Sequence, residues 1–167
     1  MSAAVRSLLD GDIAANPPPG FAPLRSGEGF NVLFGPVFGR FEDDRLILGF
    51  RVTKRHVNPH ETCHGGALAT FADFQGFAAQ HAAKTANLVT PTISMTIDFL
   101  APARFGDWIE SRTDLLRATR TMLFSQTVAA VGYRKVFRSS CVFKIGRPAA
   151  HPGSTIEQAF ADGEDHP

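Results

Sequence analysis

The sequence predicts an α+β domain in which an antiparallel, twisted sheet wraps around one long central helix. Three observations carry that prediction. Residues 66 to 82, GALATFADFQGFAAQHA, are Ala-rich, lack proline and hold a single acid, Asp73. A helix apolar nearly all round is buried nearly all round. Residues 92 to 99, TISMTIDF, alternate polar and apolar without error, as a half-buried strand does. Three more strand-like runs follow at Trp108 to Leu116, Thr121 to Val131 and Val136 to Ile145, separated by short turns. Strands joined this way make an antiparallel sheet.

The remaining elements follow in order. Ala3 to Leu9 reads as a short helix capped by Ser2 and ended near Gly11. Asn16 to Gly20, NPPPG, is a loop because three prolines fix φ and remove three donors. Phe30 to Arg40 and Leu46 to Lys54 read as two strands joined by a turn at Glu42-Asp43-Asp44. The stretch NPHETCHGG (58–66) then leads into the helix. Gly76 weakens that helix by about 1 kcal/mol relative to Ala, which points to a close approach by another element. Ala101-Pro102 and Phe105-Gly106-Asp107 end the alternating strand, and Gly132 to Lys135 makes a hairpin. Pro148 to Pro167 reads as a tail, with a capping box at Ser154 to Glu157. The pattern is β-β-α-β-β-β-β. It divides the chain into an N-terminal extension (1–28), one folded domain (29–147) and a tail (148–167).

Composition narrows the function. The 167 residues suffice for one real core. A formal net charge of +1 points to neither nucleic acid nor an anionic membrane surface. The N-terminal residues make a poor secretory signal, and no run approaches the roughly 20 apolar residues of a membrane helix. Cys63 and Cys141 form no CxxC pair. A cytoplasmic protein with reduced thiols is the default expectation. Phe is abundant, 15 against one Trp and one Tyr, which suits an aromatic core with a few rings left to line an acyl or aryl pocket.

His60-Glu61-Thr62-Cys63-His64 is a literal H-E-x-x-H, the zinc-protease signature. Zinc would need both histidines on one helical face, one turn apart. Pro59 before the run, Gly65-Gly66 after it and the β-branched Thr62 all oppose a helix there. Ala67 and Thr70 occupy the positions where the longer motif carries its glycine and third histidine. We therefore expect no metal.

The helix that begins at the glycines offers different chemistry. Its first N–H groups lack intrahelical acceptors and its dipole is positive there. Such an end stabilises the oxyanion of acyl transfer, and glycine lets a carbonyl come close. His64 and Gly65 are placed to form that oxyanion site. Asp73, set among Phe71, Ala72, Phe74 and Phe77, is either a buried acid kept for chemistry, with a raised pKa, or a half-exposed Asp bonded to a neighbour. Gly65 and Asp73 lie about 12 Å apart along the axis. Asp73 cannot reach a carbonyl held at its own helix start. A two-fold dimer with antiparallel helices brings each Asp73 to the other chain's glycine end, which predicts two shared sites.

Asn58, His64-Gly65-Gly66 and Asp73, in this register and on this element pattern, resemble the hotdog-fold acyl-CoA thioesterases. Asn-x-His-x-Thr-Cys-His-Gly-Gly is especially similar to the phenylacetate-pathway group, as are Thr96 to Leu100, Pro102 and Gly106-Asp107. The similarity covers residues 30 to 146. It implies a homodimer or a dimer of dimers that hydrolyses acyl- or aryl-CoA thioesters, with no cofactor beyond the coenzyme A of the substrate. By position it makes Asp73 the general base or nucleophile and the Gly65 N–H the oxyanion donor. Asn58 and His64 would orient the water or carbonyl, and Thr92 would help to hold the water, with Ser94 as the alternative. Gly66 would border the substrate. Glu61 stands where the family often has Gly or Gln, and we expect it to face solvent.

Two rival classes share the fold: a module that binds acyl-CoA without turnover, and a hydratase or dehydratase. The lone acid weighs against both, since binding needs no acid and carbon proton transfer needs a His–carboxylate pair. Arg117, Arg120 and Arg134, with Lys135 and Arg138, cluster in sequence around the late hairpins. They are candidates for the CoA phosphates, against the alternative of solvated turns. His56, His81, His151 and His166 read as surface residues, and Cys63 as a small buried thiol.

Overall fold

The computed structural model describes residues 15–25 and 29–148. Along the chain run β1 (Ala22–Pro23), α1 (Phe30–Phe34), β2 (Phe38–Glu42), β3 (Arg45–Arg51) and a 3₁₀ turn (Lys54–His56). Then come α2 (Gly65–Asp73), α3 (Gln75–Ala82), β4 (Thr92–Phe99), β5 (Trp108–Ala118), β6 (Met122–Val131) and β7 (Arg134–Lys144). The strands form one seven-stranded sheet in the order β1-β2-β3-β5-β6-β7-β4, antiparallel throughout. The expected helices at Ala3 to Leu9 and after Ser154 lie outside the described residues.

The helix packs against this sheet, which is the hotdog arrangement. Leu68, Phe71, Ala72, Phe74 and Ala78 enter one core with Phe50, Ile109 and Phe137. Gln75 bolts helix to sheet: fully buried, it donates to the Phe71 carbonyl (3.0 Å) and accepts from Ser111 Oγ (2.9 Å) and Thr113 Oγ1 (3.0 Å). A Cβ on Gly76 would sit 3.2 Å from the Phe143 ring, the close approach its place in the helix foretold. The helix bends at Phe74, where the Phe77 N–H bonds three residues back to the Phe74 carbonyl (3.1 Å). Asp73 is the last residue before the bend.

Two expectations change. Phe30 to Phe34 is a helical turn rather than part of a strand. Its aromatic and β-branched residues favour strands locally, but Gly29 (φ 78°) and Gly35 (φ 106°) break the chain on either side. The Phe34 ring then packs into the core against Phe50, His56 and Phe74, at 5.1, 4.7 and 5.7 Å between centroids. The second change is in strand neighbours. β4 does not pair with β5; it crosses to the far edge and pairs with β7, from Thr92↔Phe143 to Phe99↔Phe137. Residues 100–107 are therefore a crossover, held by Leu100 N–H to Val136 O (2.8 Å) and Val52 N–H to Asp107 O (2.8 Å). β4 ends as an edge strand with Ile93 and Phe99 exposed.

Candidate active site

The approach loop is not helical, so the H-E-x-x-H residues do not share a helical face. Glu61 is left-handed (φ 59°), Val57 bridges to Cys63, and Thr62 bridges to Arg104. Asn58 clamps the turn: its Oδ1 accepts from the His60 N–H (2.9 Å), its Nδ2 donates to Thr62 Oγ1 (3.0 Å), and its carbonyl accepts from the Glu61 N–H (2.9 Å). Its polar atoms are thus spent inside the loop. Cys63 N–H bonds to Ala103 O and His64 N–H to His56 O, both at 2.7 Å.

That network delivers the chain into α2 with His64 as its cap. His64 Nδ1 accepts from the Gly66 N–H (2.9 Å), and the His64 carbonyl accepts from Ala67 and Leu68 N–H (2.9 and 3.1 Å). Of the first N–H groups, that of Gly65 alone has no acceptor among the described residues. The Nδ1 bond leaves the proton of a neutral imidazole on Nε2. Phe99 of β4 lies over Gly65, where a Cβ would approach its ring to 3.3 Å.

Asp73 stands at the other end of α2, exposed in the single chain rather than buried. Its carboxylate is bonded to a neighbour: Thr92 Oγ1 donates to Asp73 Oδ1 at 2.6 Å. The pairing with Thr92 and not Ser94 has a local cause. A register shift between Thr92 and Ser94 moves Thr92 to the face that carries Met95, and both line the cavity beside Asp73. Ser94 does not line it. The cavity measures about 550 Å³ and runs from Gly66 past Thr70 and Asp73 to Phe77 and Gln80. A second, of about 340 Å³, lies beside His64 and is walled by Leu33, Phe34, Arg55 and Ala67.

The arginines do not form one cluster. Arg117 and Arg120 sit at the β5–β6 turn and Arg134 at the β6–β7 turn, at opposite ends of β6, about 30 Å apart along the strand. Arg134 is tied to the crossover, donating to the Pro102 carbonyl and to Asp107 Oδ2 (3.0 Å). Arg138 pairs with Asp98 (2.7 Å).

His56 is the residue sequence reasoning missed. It is 4% exposed, not a surface residue. Its Nδ1 accepts from the Thr53 N–H (3.0 Å), its Nε2 meets the Phe34 carbonyl (2.7 Å), and its own carbonyl holds the His64 N–H. One signal was available: Thr53 and His56 have capping-box spacing, with His in the usual Glu position. His151 and His166 lie outside the described residues. Cys63 is buried, and burial first, then the charge of Asp107, pushes its thiol up to about 12. It is no nucleophile at neutral pH.

Residues 60–128 match the family model of the thioesterase superfamily. The chain is 33% identical over 132 residues to the putative esterase PA0474 of Pseudomonas aeruginosa, covering 78% of this chain and 98% of that protein. This chain belongs to the thioesterase superfamily. Over 61 residues it is 36% identical to the acyl-coenzyme A thioesterase PaaI of Escherichia coli, covering 36% of this chain and 41% of that one. In fold it is similar to zebrafish thioesterase superfamily member 2, with a TM-score of 0.64 at 20% identity, over 73% of this chain and 90% of that one. Among the described residues, no helix is long and apolar enough to cross a membrane.

Proposed function

We propose that this superfamily member hydrolyses acyl- or aryl-CoA thioesters to the free acid and CoA, as a homodimer with two shared sites. One observation carries the reading: a carboxylate held by a hydroxyl at 2.6 Å in a cavity wall, on a helix whose first N–H is left without an acceptor. The Gly65 N–H of one chain takes the thioester oxygen, polarising the carbonyl as negative charge develops there. In the partner chain, Thr92 occupies Oδ1 of that chain's own Asp73 and leaves Oδ2 for water. Asp73 takes a proton from that water as its oxygen attacks the thioester carbon. The tetrahedral intermediate collapses, the C–S bond breaks, and the CoA thiolate takes the proton back from Asp73. Water is the only co-substrate this route uses. His64 caps the helix and keeps the oxyanion donor in place, and Asn58 holds the loop behind it.

The dimer is supported by the distance along α2 and by β4, an edge strand whose exposed Ile93 and Phe99, with Leu100 just after it, a second copy would cover. The test is Asp73→Asn. General-base loss should lower kcat by roughly 10²–10⁴-fold against an acyl-CoA panel, read by free thiol. Full turnover by a folded Asp73→Asn protein, or by a protein that stays monomeric, defeats the proposal. Tight acyl-CoA binding without turnover by the native chain would favour the non-catalytic module.

A further inference from the structure

We propose that Phe30 sets the length of acyl group accepted in the cavity beside Asp73, by standing as a partition between it and the second cavity of the same chain. The inference rests on the acyl-CoA reading above. α1 is anchored by Phe34, which is buried, while Phe30, one turn earlier on the same helix, is 65% exposed. Phe30 lines both the 550 Å³ cavity beside Asp73 and the 340 Å³ cavity beside His64. Gly66 and Thr70 also line both, so the cavities abut along that line. Of the three shared residues, Gly66 has no side chain and Thr70 is small, its hydroxyl tied to the Gly66 carbonyl (2.9 Å). Only the Phe30 ring is large enough to divide the space. Beyond it the smaller cavity offers Leu33, Phe34 and Ala67 to an alkyl chain, with the polar Arg55 and His64 beside them.

Phe30→Ala joins the two spaces. Each methylene that then enters the second cavity tightens binding roughly fourfold. The optimum along a saturated series from acetyl-CoA to palmitoyl-CoA should move to longer chains, with a tenfold or larger change in the ratio of long to short kcat/KM. Phe30→Trp should move it the other way. Val32→Ala, exposed on the same helix and lining neither cavity, should leave the profile unchanged. Dissociation constants for the same series, taken on the Asp73→Asn protein, give a readout independent of turnover. A Phe30→Ala protein with the native length profile in both assays overturns the inference. A shifted binding profile in a chain that hydrolyses nothing upholds it while defeating the catalytic reading. Failure to bind any acyl-CoA overturns both.

Discussion

The two ends of α2 are built in opposite ways. The glycine end is fixed from within the chain: two 2.7 Å backbone bonds, a histidine cap and the buried His56 hold it. The acid end is fixed by one side-chain bond from Thr92, on a strand that forms an open sheet edge. A group that must present an N–H to developing charge needs a preorganised backbone, and a single protomer can supply it. A group that must meet a carbonyl on another chain is best carried at the seam. On the proposed mechanism the Gly65 end should therefore keep its form in a monomer, while the Asp73 end should depend on the partner.

Substitutions at the two ends should part company. Asp73→Asn removes chemistry with little loss of fold, because the carboxylate is exposed and makes one hydrogen bond; kcat falls as stated above while Tm stays near the native value. His56→Ala attacks the other end. It leaves the Thr53 N–H and Phe34 carbonyl without partners and opens a cavity beside Phe34 and Phe50. We expect a loss of about 3 kcal/mol in urea unfolding, accompanied by lower kcat/KM. If His56→Ala unfolds at the native midpoint, the glycine end is not held as argued.

The buried thiol just before that end gives a pH signature. The Cys63 thiol is pushed from 9.0 to about 12 by burial and then by Asp107. Above pH 9 the unfolded chain loses this proton while the folded chain keeps it. Stability is therefore fully present below pH 9 and falls as pH rises, by up to about 1.4 kcal/mol per unit from this group. Cys141 is raised in the same direction, by burial first, against a Ser139 hydrogen bond that lowers it, with the charge of Asp73 raising it further. Cys63→Ala should flatten the alkaline limb and leave the part due to Cys141. Identical slopes would mean that water reaches the thiol.

Much of this comparison was legible in the sequence because it lies in local chemistry. The alternation of TISMTIDF gives β4 its bounds, and the glycine pair gives the start of α2. The rest was set by tertiary contacts that no local pattern encodes. Phe30 to Phe34 is helical because of Phe34's seat in the core. β4 lies beside β7 because residues 100–107 cross the sheet, although their length also suits a hairpin. The choice of Thr92 over Ser94 was open until the bulge at Ile93 fixed which face each hydroxyl takes. The arginines, close in sequence, were separated by the length of one strand.

The smallest expected effect tests how tightly the glycine end is held. Glu61 adopts φ 59°, a conformation that costs an L-residue on the order of 1–2 kcal/mol. Its N–H bond to the Asn58 carbonyl keeps it there, and its side chain is exposed. Glycine removes the strain but adds freedom to the unfolded chain, so the two terms partly offset. Glu61→Gly should stabilise the protein by about 0.5–1 kcal/mol, seen as a higher urea midpoint at constant slope. Turnover should not change, because the Gly65 N–H is positioned by His56 and His64 and not by the tip of the loop. A stabilised Glu61→Gly protein that loses activity would instead give the Glu61 carboxylate a place in the chemistry, and the glycine end would then carry an acid of its own.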